Sequence, residues 1–321
     1  MERKRGDLMS QLISLVIPIY NEAEHLEHSV HVIVQQIEQL KLPFELIFVD
    51  DGSKDESWNI ITKLKRDIPQ IRALKFSRNF GKEQALCAGL EIAQGDGVII
   101  MDADLQHPPK LLKAMIEAWE QGAEVVECVK VDRGGEPFVN KVGSKLFYAI
   151  LKIFSGYSLN GASDFKLLDK KVLEQWKRMD ERNVFFRGMT AWLGFKVVKL
   201  PFSVEQRAGG TSAWSVKTLV QLAIKAIVSF STIPLRIVTV LGVSFLFSAL
   251  LIIIQTLYMK FSGKAVNGFT TVIVLLLVIG SILMISLGVI GEYIAAIYNE
   301  VKKRPRYIVS EGIEANHEID A

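Results

Sequence analysis

Two carboxylates one residue apart mark the most chemically suggestive stretch of this 321-residue chain, Asp102-Ala103-Asp104-Leu105-Gln106. At a turn, such a pair can hold a hard divalent cation while a diphosphate supplies the remaining oxygens. The ion then neutralises charge as a nucleotide diphosphate leaves. A solvated acidic loop carries the same residues, so the triplet alone does not decide. Two further polar clusters follow apolar runs: Tyr20-Asn21-Glu22 after Val16-Ile17-Pro18-Ile19, and Asp50-Asp51-Gly52-Ser53 after Val49. Loops of this kind can hydrogen-bond a nucleobase and ribose. Taken alone, each is equally an ordinary turn with a helix-capping Asp or Ser.

The elements that must position these residues are legible from periodicity. Residues 12–19 read as a strand buried on both faces, 44–49 as a second apolar strand, and 71–76 and 97–101 as a third and fourth. Between them, residues 23–40, 55–66 and 82–94 carry helical spacing, and a helix over 110–121 and a strand over 123–129 follow. Alternating β and α predicts a parallel sheet with helices on both faces. Ligands of such sheets bind at the carboxyl ends of the strands, where the acidic clusters fall.

Half of all residues are hydrophobic, and they concentrate towards the C-terminus. Residues 237–259 and 269–290, the second extended by 291–298, are long and apolar enough to cross a bilayer. Lys225 and Arg236 precede the first span, and Lys302-Lys303-Arg304-Pro305-Arg306 follows the second, whereas the intervening loop carries Lys260 and Lys264. The positive-inside rule then places both termini and the N-terminal domain in the cytoplasm, on a multi-pass plasma-membrane protein. Residues 214–230 repeat Lys217, Gln221 and Lys225 on an apolar helix, which fits an amphipathic helix in the membrane interface; 138–154 is a second such segment. The final residues are polar, and a disordered tail is expected. A formal net charge of +3 gives no argument for nucleic acid. Cys87 and Cys128 form no CxxC pair, so neither a zinc site nor a disulfide scaffold is indicated. His25, His28 and His31 recur every three residues, a spacing that drifts around a helix and fits a solvated face better than a metal site.

Together VIPIYNE, VDDGS and DADLQHPP, in this order and spacing, resemble the family 2 glycosyltransferases with a GT-A (Rossmann-like) fold. Within that family the chain most resembles the polyprenyl-phosphate transferases, the group of dolichyl-phosphate mannose synthase and the bacterial bactoprenol glucosyltransferases. The likeness runs to about residue 304. It implies a cytoplasmic GT-A catalytic domain over 1–213, an interfacial helix over 214–232, a two-helix transmembrane hairpin over 233–298 and a basic, polar tail over 299–321. It implies that Pro18, Tyr20, Glu22 and Asp51 contact the uridine of a UDP-sugar and that Asp102 faces the ribose and diphosphate. Asp104 and Gln106 would hold Mg²⁺ or Mn²⁺. The segment Arg207-Ala-Gly-Gly210-Thr-Ser212-Ala-Trp214 fits the family's R-x-x-G-x-S-x-aromatic pattern, so Arg207 and Ser212, with Arg133, would bind a phosphate of donor or acceptor. A guanidinium suits that task because it pairs phosphate through two parallel bonds. Many relatives carry Gly-Phe-Arg-Leu where this chain has Asp164-Phe165-Lys166-Leu167; Lys166 keeps the positive charge for phosphate without the fork, and Asp164 enters as a candidate catalytic carboxylate.

The implied reaction is inverting, metal-dependent sugar transfer to polyprenyl (undecaprenyl) phosphate for cell-envelope glycosylation. Its rivals are a processive polysaccharide synthase, which would carry a Q-x-x-R-W motif and more spans, and a catalytically silent membrane scaffold that binds nucleotide sugars. A transporter is disfavoured, because no charge lies within the spans before Glu292. Homo-oligomerisation through the membrane helices is expected, with Gly280, Ser281 and Gly288 allowing close contact.

Overall fold

The structure is a computed structural model and describes residues 11–130, 163–182, 184–202, 227–228, 231–263, 268–314 and 318–319. The segments 138–154 and 214–226 read as amphipathic, and the candidate phosphate ligands Arg133, Arg207 and Ser212, lie outside the described residues.

The described residues fall into two compact units, one built on a sheet and one on two long helices. The sheet unit begins with β1 (Ile13–Ile19), α1 (Leu26–Glu38), β2 (Phe44–Asp50), α2 (Ser57–Asp67), β3 (Ile71–Phe76), α3 (Lys82–Ile92), β4 (Gly97–Ile100) and α4 (Leu111–Glu120). It continues with β5 (Val125–Lys130), β6 (Lys166–Asp169), α5 (Lys170–Lys177), α6 (Phe186–Trp192) and β7 (Val197–Phe202). The helical unit holds α7 (Ile233–Phe261) and α8 (Phe269–Val301), after which β8 (Val309–Ile313) and β9 (Glu318–Ile319) belong again to the sheet.

Among the described residues the strand order is β7-β5-β6-β4-β1-β2-β3-β8-β9. The centre, β4-β1-β2-β3, is parallel as the βα alternation requires. The flanks are not: β6 runs antiparallel to both β4 and β5, and β8 antiparallel to β3, so the sheet is mixed. Every apolar residue of β1 except the half-buried Pro18 is essentially inaccessible. Helix α1 covers one face through Leu26, Val30, Ile33 and Ile37, one residue per turn. Each such side chain contributes roughly 1.5–3 kcal/mol on burial. On α3, Gly89 faces Val16, and a Cβ there would overlap the valine side chain, so this glycine lets the helix lie close to β1.

The polar tail expected over 299–321 is corrected for its central part. Val309–Ile313 adds a strand to the sheet edge, pairing Lys75 with Glu311 and Phe76 with Val309. Glu311 accepts the Trp58 indole N–H (2.8 Å) and pairs with Lys75 Nζ (3.0 Å). Tyr307 stacks on Phe76 with ring centroids 4.8 Å apart, and its hydroxyl meets Glu91. Arg306, read from sequence as part of a loose basic cluster, donates to the Met179 carbonyl and pairs with Glu91. Polarity alone misleads here because an edge strand needs only one apolar face.

Two loops at the carboxyl end of the sheet are tied to each other. Asn21, in the left-handed region (φ 55°), donates its N–H to Ser53 Oγ (2.9 Å) and accepts from the Lys54 N–H (2.9 Å). Gly52 has φ 68°, and a Cβ there would overlap the Arg78 carbonyl carbon. Replacing Gly52 by alanine combines steric overlap with an unfavourable backbone conformation. The Gly52→Ala variant should therefore lose about 1–3 kcal/mol of stability, read as a lower midpoint of thermal unfolding in detergent. An unchanged midpoint would show that the Asn79 loop can retreat without cost.

Candidate active site

The ends of β1, β2 and β4 and the start of α3 enclose a cleft of ≈ 280 Å³. Pro18, Tyr20, Glu22, Asp51, Asp102 and Asp104, six residues singled out from sequence, all line it. Asn79, Gly81 and Lys82 close the opposite wall. Three strand ends therefore converge on one place, as expected for a sheet whose parallel strands all point the same way.

Each loop is held from below. Asp51 is 3% exposed, and its two carboxylate oxygens accept the N–H groups of Phe80 (2.6 Å) and Gly81 (2.9 Å). It thus fastens the loop that leads into α3 as well as lining the cleft, a role its sequence motif did not disclose. Burial pushes its pKa above the usual carboxylate range, against those two hydrogen bonds. Neighbouring Asp50 is fully buried, and one oxygen accepts the Ser53 N–H (2.9 Å). On the acidic turn, Leu105 is left-handed (φ 56°) and the Gln106 N–H donates to Asp104 Oδ1 (3.0 Å). His107 packs beneath, stacked on Phe165 at 4.8 Å, and its Nδ1 accepts the Asp102 N–H (3.1 Å). That hydrogen bond and burial, which lowers its pKa, favour the neutral imidazole.

The electrostatics of the cleft are dominated by carboxylates. Burial raises the pKa of Glu22, and the negative charges of Asp104 and Asp102 raise it further. Lys82 answers part of this: its ammonium lies 2.6 Å from Asp102 Oδ1 and 3.0 Å from Asp164 Oδ2. Burial works against the Lys82 charge, but the two carboxylates outweigh it and raise the pKa above the usual lysine range. Among the described residues no group of three or more His, Cys, Asp or Glu side chains could hold a metal by itself. The carboxylates of Asp102 and Asp104, which line the cleft, are oxygen donors of the kind a hard cation takes.

Two expectations meet a different environment. Lys166 is 3% exposed, and its ammonium is paired with Glu127 Oε1 (2.9 Å) and donates to Thr190 Oγ1 (2.9 Å). It offers no open charge to a phosphate, and burial lowers its pKa despite Glu127. Asp164, 7% exposed, is gripped by Arg187 through Nε (2.7 Å) and a terminal nitrogen (3.0 Å). Arg187 and Glu83 were not singled out from sequence. They sit in unremarkable helical stretches, and only the tertiary fold brings them beside Lys82 and Asp164.

A mixed sheet with a parallel centre and acidic loops at its carboxyl ends defines a GT-A, Rossmann-like domain, here on a chain that also carries an apolar helical hairpin. Residues 14–178 match the family described as glycosyl transferase family 2, and residues 233–297 match the GtrB C-terminal hairpin. The chain belongs to the family 2 glycosyltransferases. It is 38% identical over 305 residues to the uncharacterized glycosyltransferase YkcC of Bacillus subtilis, covering 94% of each chain. It is 38% identical to the prophage bactoprenol glucosyl transferase homolog of Escherichia coli, over 92% of this chain and 98% of that one. Against the SfII prophage-derived bactoprenol glucosyl transferase of Shigella flexneri the identity is 37%, over 95% and 99%. The hairpin region contains two helical stretches, Ile233–Met259 and Leu275–Val301, long and apolar enough to cross a membrane and unburied within the chain.

Glu83 supplies a test of the site's electrostatics. Burial, helped by Asp164, pushes its carboxyl from 4.5 up to about 7. A carboxyl raised in the folded state contributes stability that is complete below its unfolded pKa and is lost as the pH rises through the folded one. Relative to wild type, Glu83→Gln should therefore gain thermal stability as the pH rises from about 4.5 to 7, and little beyond. A stability difference that stays constant across that window would show that Glu83 titrates normally.

Proposed function

We propose that the protein transfers a sugar from a UDP-sugar to a polyprenyl phosphate, undecaprenyl phosphate in a bacterial membrane, at the cytoplasmic face. The observation that carries this reading is the single cleft that unites the strand-end residues of all three motifs, Pro18 to Glu22, Asp51, and Asp102 with Asp104. The names of the two bactoprenol glucosyl transferase relatives support the acceptor class.

In this reading Pro18, Tyr20, Glu22 and Asp51 receive the uridine, and Tyr20, 43% exposed, offers a ring face to the base. Asp102 faces the ribose and diphosphate. Asp104 and Gln106 would hold Mg²⁺ or Mn²⁺, which supplies positive charge to the departing diphosphate. Lys82 adds a second cation beside the same group. The lipid phosphate oxygen attacks the anomeric carbon in line, the bond from that carbon to the UDP oxygen breaks, and the electron pair leaves with UDP. Inversion then gives a β-linked product from an α-linked donor. A phosphate monoester is already ionised near neutral pH, so the attacking oxygen needs no strong general base. Arg133, Arg207 and Ser212 are proposed to bind the acceptor phosphate.

We place both termini in the cytoplasm. The positive-inside rule supports this: Lys302, Lys303, Arg304 and Arg306 follow the second span. Self-association through α8 is proposed on Gly280 and Gly288, where a Cβ would meet nothing within 4 Å and a second helix could approach closely.

Purified protein in detergent, given undecaprenyl phosphate, Mg²⁺ or Mn²⁺ and radiolabelled UDP-sugars, should move label into the organic phase for one donor. Asp104→Asn should lower that rate by roughly a hundredfold or more. UDP binding without transfer from any UDP-sugar would overturn the assignment of donor, acceptor or both.

A further inference from the structure

Two carboxylates, the buried Asp164 and the half-buried Glu83, have no part in the transfer as described, yet both join the same pair of helices. Lys82 and Glu83 open α3, and Phe186 and Arg187 open α6. Glu83 accepts the Phe186 N–H at 2.7 Å. Asp164 lies between Lys82 and Arg187, taking two bonds from the guanidinium at 2.7 and 3.0 Å and one from the ammonium at 3.0 Å. Neighbouring residues of one helix are thus fastened twice to neighbouring residues of the other.

The geometry argues against Asp164 as a proton acceptor. Three N–H donors occupy its two oxygens, and the side chain is almost wholly buried. Burial alone would raise its pKa, but Lys82 and Arg187 outweigh burial and hold the carboxyl well below the usual range. A carboxylate so stabilised is a weak base. Nor is the cluster an efficient stabiliser of the fold, since well-packed apolar groups often serve a buried site as well as ions do. What the cluster does is fix the location of two positive charges. Lys82 lines the donor cleft and is only 2.6 Å from Asp102. Two positive charges thus alternate with the carboxylates of Asp102 and Asp164, and Lys82 is the cation of the set that lines the cleft.

We propose that Asp164 is a positioning residue: clamped by the Arg187 guanidinium, it holds the Lys82 ammonium, with Arg187 as the second cation behind it, for phosphate oxygens at the cleft. The identity of the anion rests on the transferase reading above: it is the diphosphate of the donor or the phosphate of the acceptor. A prealigned pair costs no reorganisation when charge develops in the transition state. Without Asp164, Lys82 would be held by Asp102 alone and the guanidinium would lose its fork partner.

The test uses the full-length protein in detergent and the variants Asp164→Asn, Lys82→Gln, their combination, and Arg187→Lys. One arm titrates UDP with Mg²⁺ by calorimetry; the other measures kcat and KM for undecaprenyl phosphate across a pH series. Asp164→Asn should weaken UDP binding roughly ten- to a hundredfold if the pair serves the donor, or raise the lipid KM by that factor if it serves the acceptor. Adding Lys82→Gln should cost little more, because the residues act as a unit. The wild-type kcat profile should lack an acid limb that Asp164→Asn removes. A thousandfold fall in kcat with both constants unchanged, or loss of such a limb, would make Asp164 the base and overturn the proposal. If Asp164→Asn does not fold, Arg187→Lys, which keeps the charge and breaks the fork, must shift the same constant, and an unchanged constant overturns the proposal. The UDP arm needs no acceptor, so it stands if the lipid assignment is wrong; unchanged UDP binding together with absent lipid transfer defeats the proposal outright.

Discussion

The structure depends on confining negative charge. Glu22, Asp51, Asp102 and Asp104 share one cleft; Asp50 and Asp164 are buried and Glu83 half-buried close by. Two like charges 4 Å apart cost about 4 kcal/mol at the effective dielectric of a protein surface. The chain meets that cost locally in three ways. Backbone N–H groups cover one oxygen of Asp50 and both of Asp51, cations cover Asp102 and Asp164, and the carboxyls of Glu22 and Glu83 are shifted towards the neutral form. On the proposed reading, what remains is a cleft that favours a cation, and a cation there would let a diphosphate bind beside so many carboxylates.

That balance places strict demands on the loop Ser77–Gly81. It carries Asn79 into the cleft, receives both oxygens of Asp51 and delivers Lys82 to its two carboxylates. The loop begins where β3 ends, and β3 is completed by a strand from the far end of the chain: the Ser77 N–H donates to the Ile308 carbonyl at 2.9 Å. Residues that follow the second apolar helix are therefore structural partners of the cleft, linked through β3. The unpaired edge that β3 would otherwise present is covered by the same pairing.

The central part of the fold was legible in the sequence because β1 to β4 are short, largely apolar runs separated by helices of clear periodicity. The cleft was legible because its acidic motifs sit at the ends of those strands. Of the flank, β5 was legible in residues 123–129, whereas β6 and β7 were not. β6 is four residues long and begins with a lysine that is buried only because Glu127 faces it on β5. In β7, VVKLPF, Lys199 and Pro201 interrupt the apolar run, and exposure alternates along Val197–Leu200. The same limit explains Lys166, read as a phosphate ligand from its motif but paired with Glu127 by the strand register. Arg187 and Glu83 carry no local pattern; their significance is their distance to residues far away in the chain.

On the proposed reading, the arrangement also explains why an acidic cleft suits a reaction between two anions. Donor diphosphate and acceptor phosphate repel each other, and an unscreened positive cleft would hold both products as firmly as both substrates. Mounting the cations against carboxylates tempers their hold on any single phosphate. Their net attraction becomes largest when charge is concentrated on the breaking bond, as interactions that favour the transition state require. Lys82, held between Asp102 and Asp164, is placed to act in this way: bridging charge is offset in the resting site, and its remaining attraction is directed at whatever phosphate oxygen enters between the strand ends.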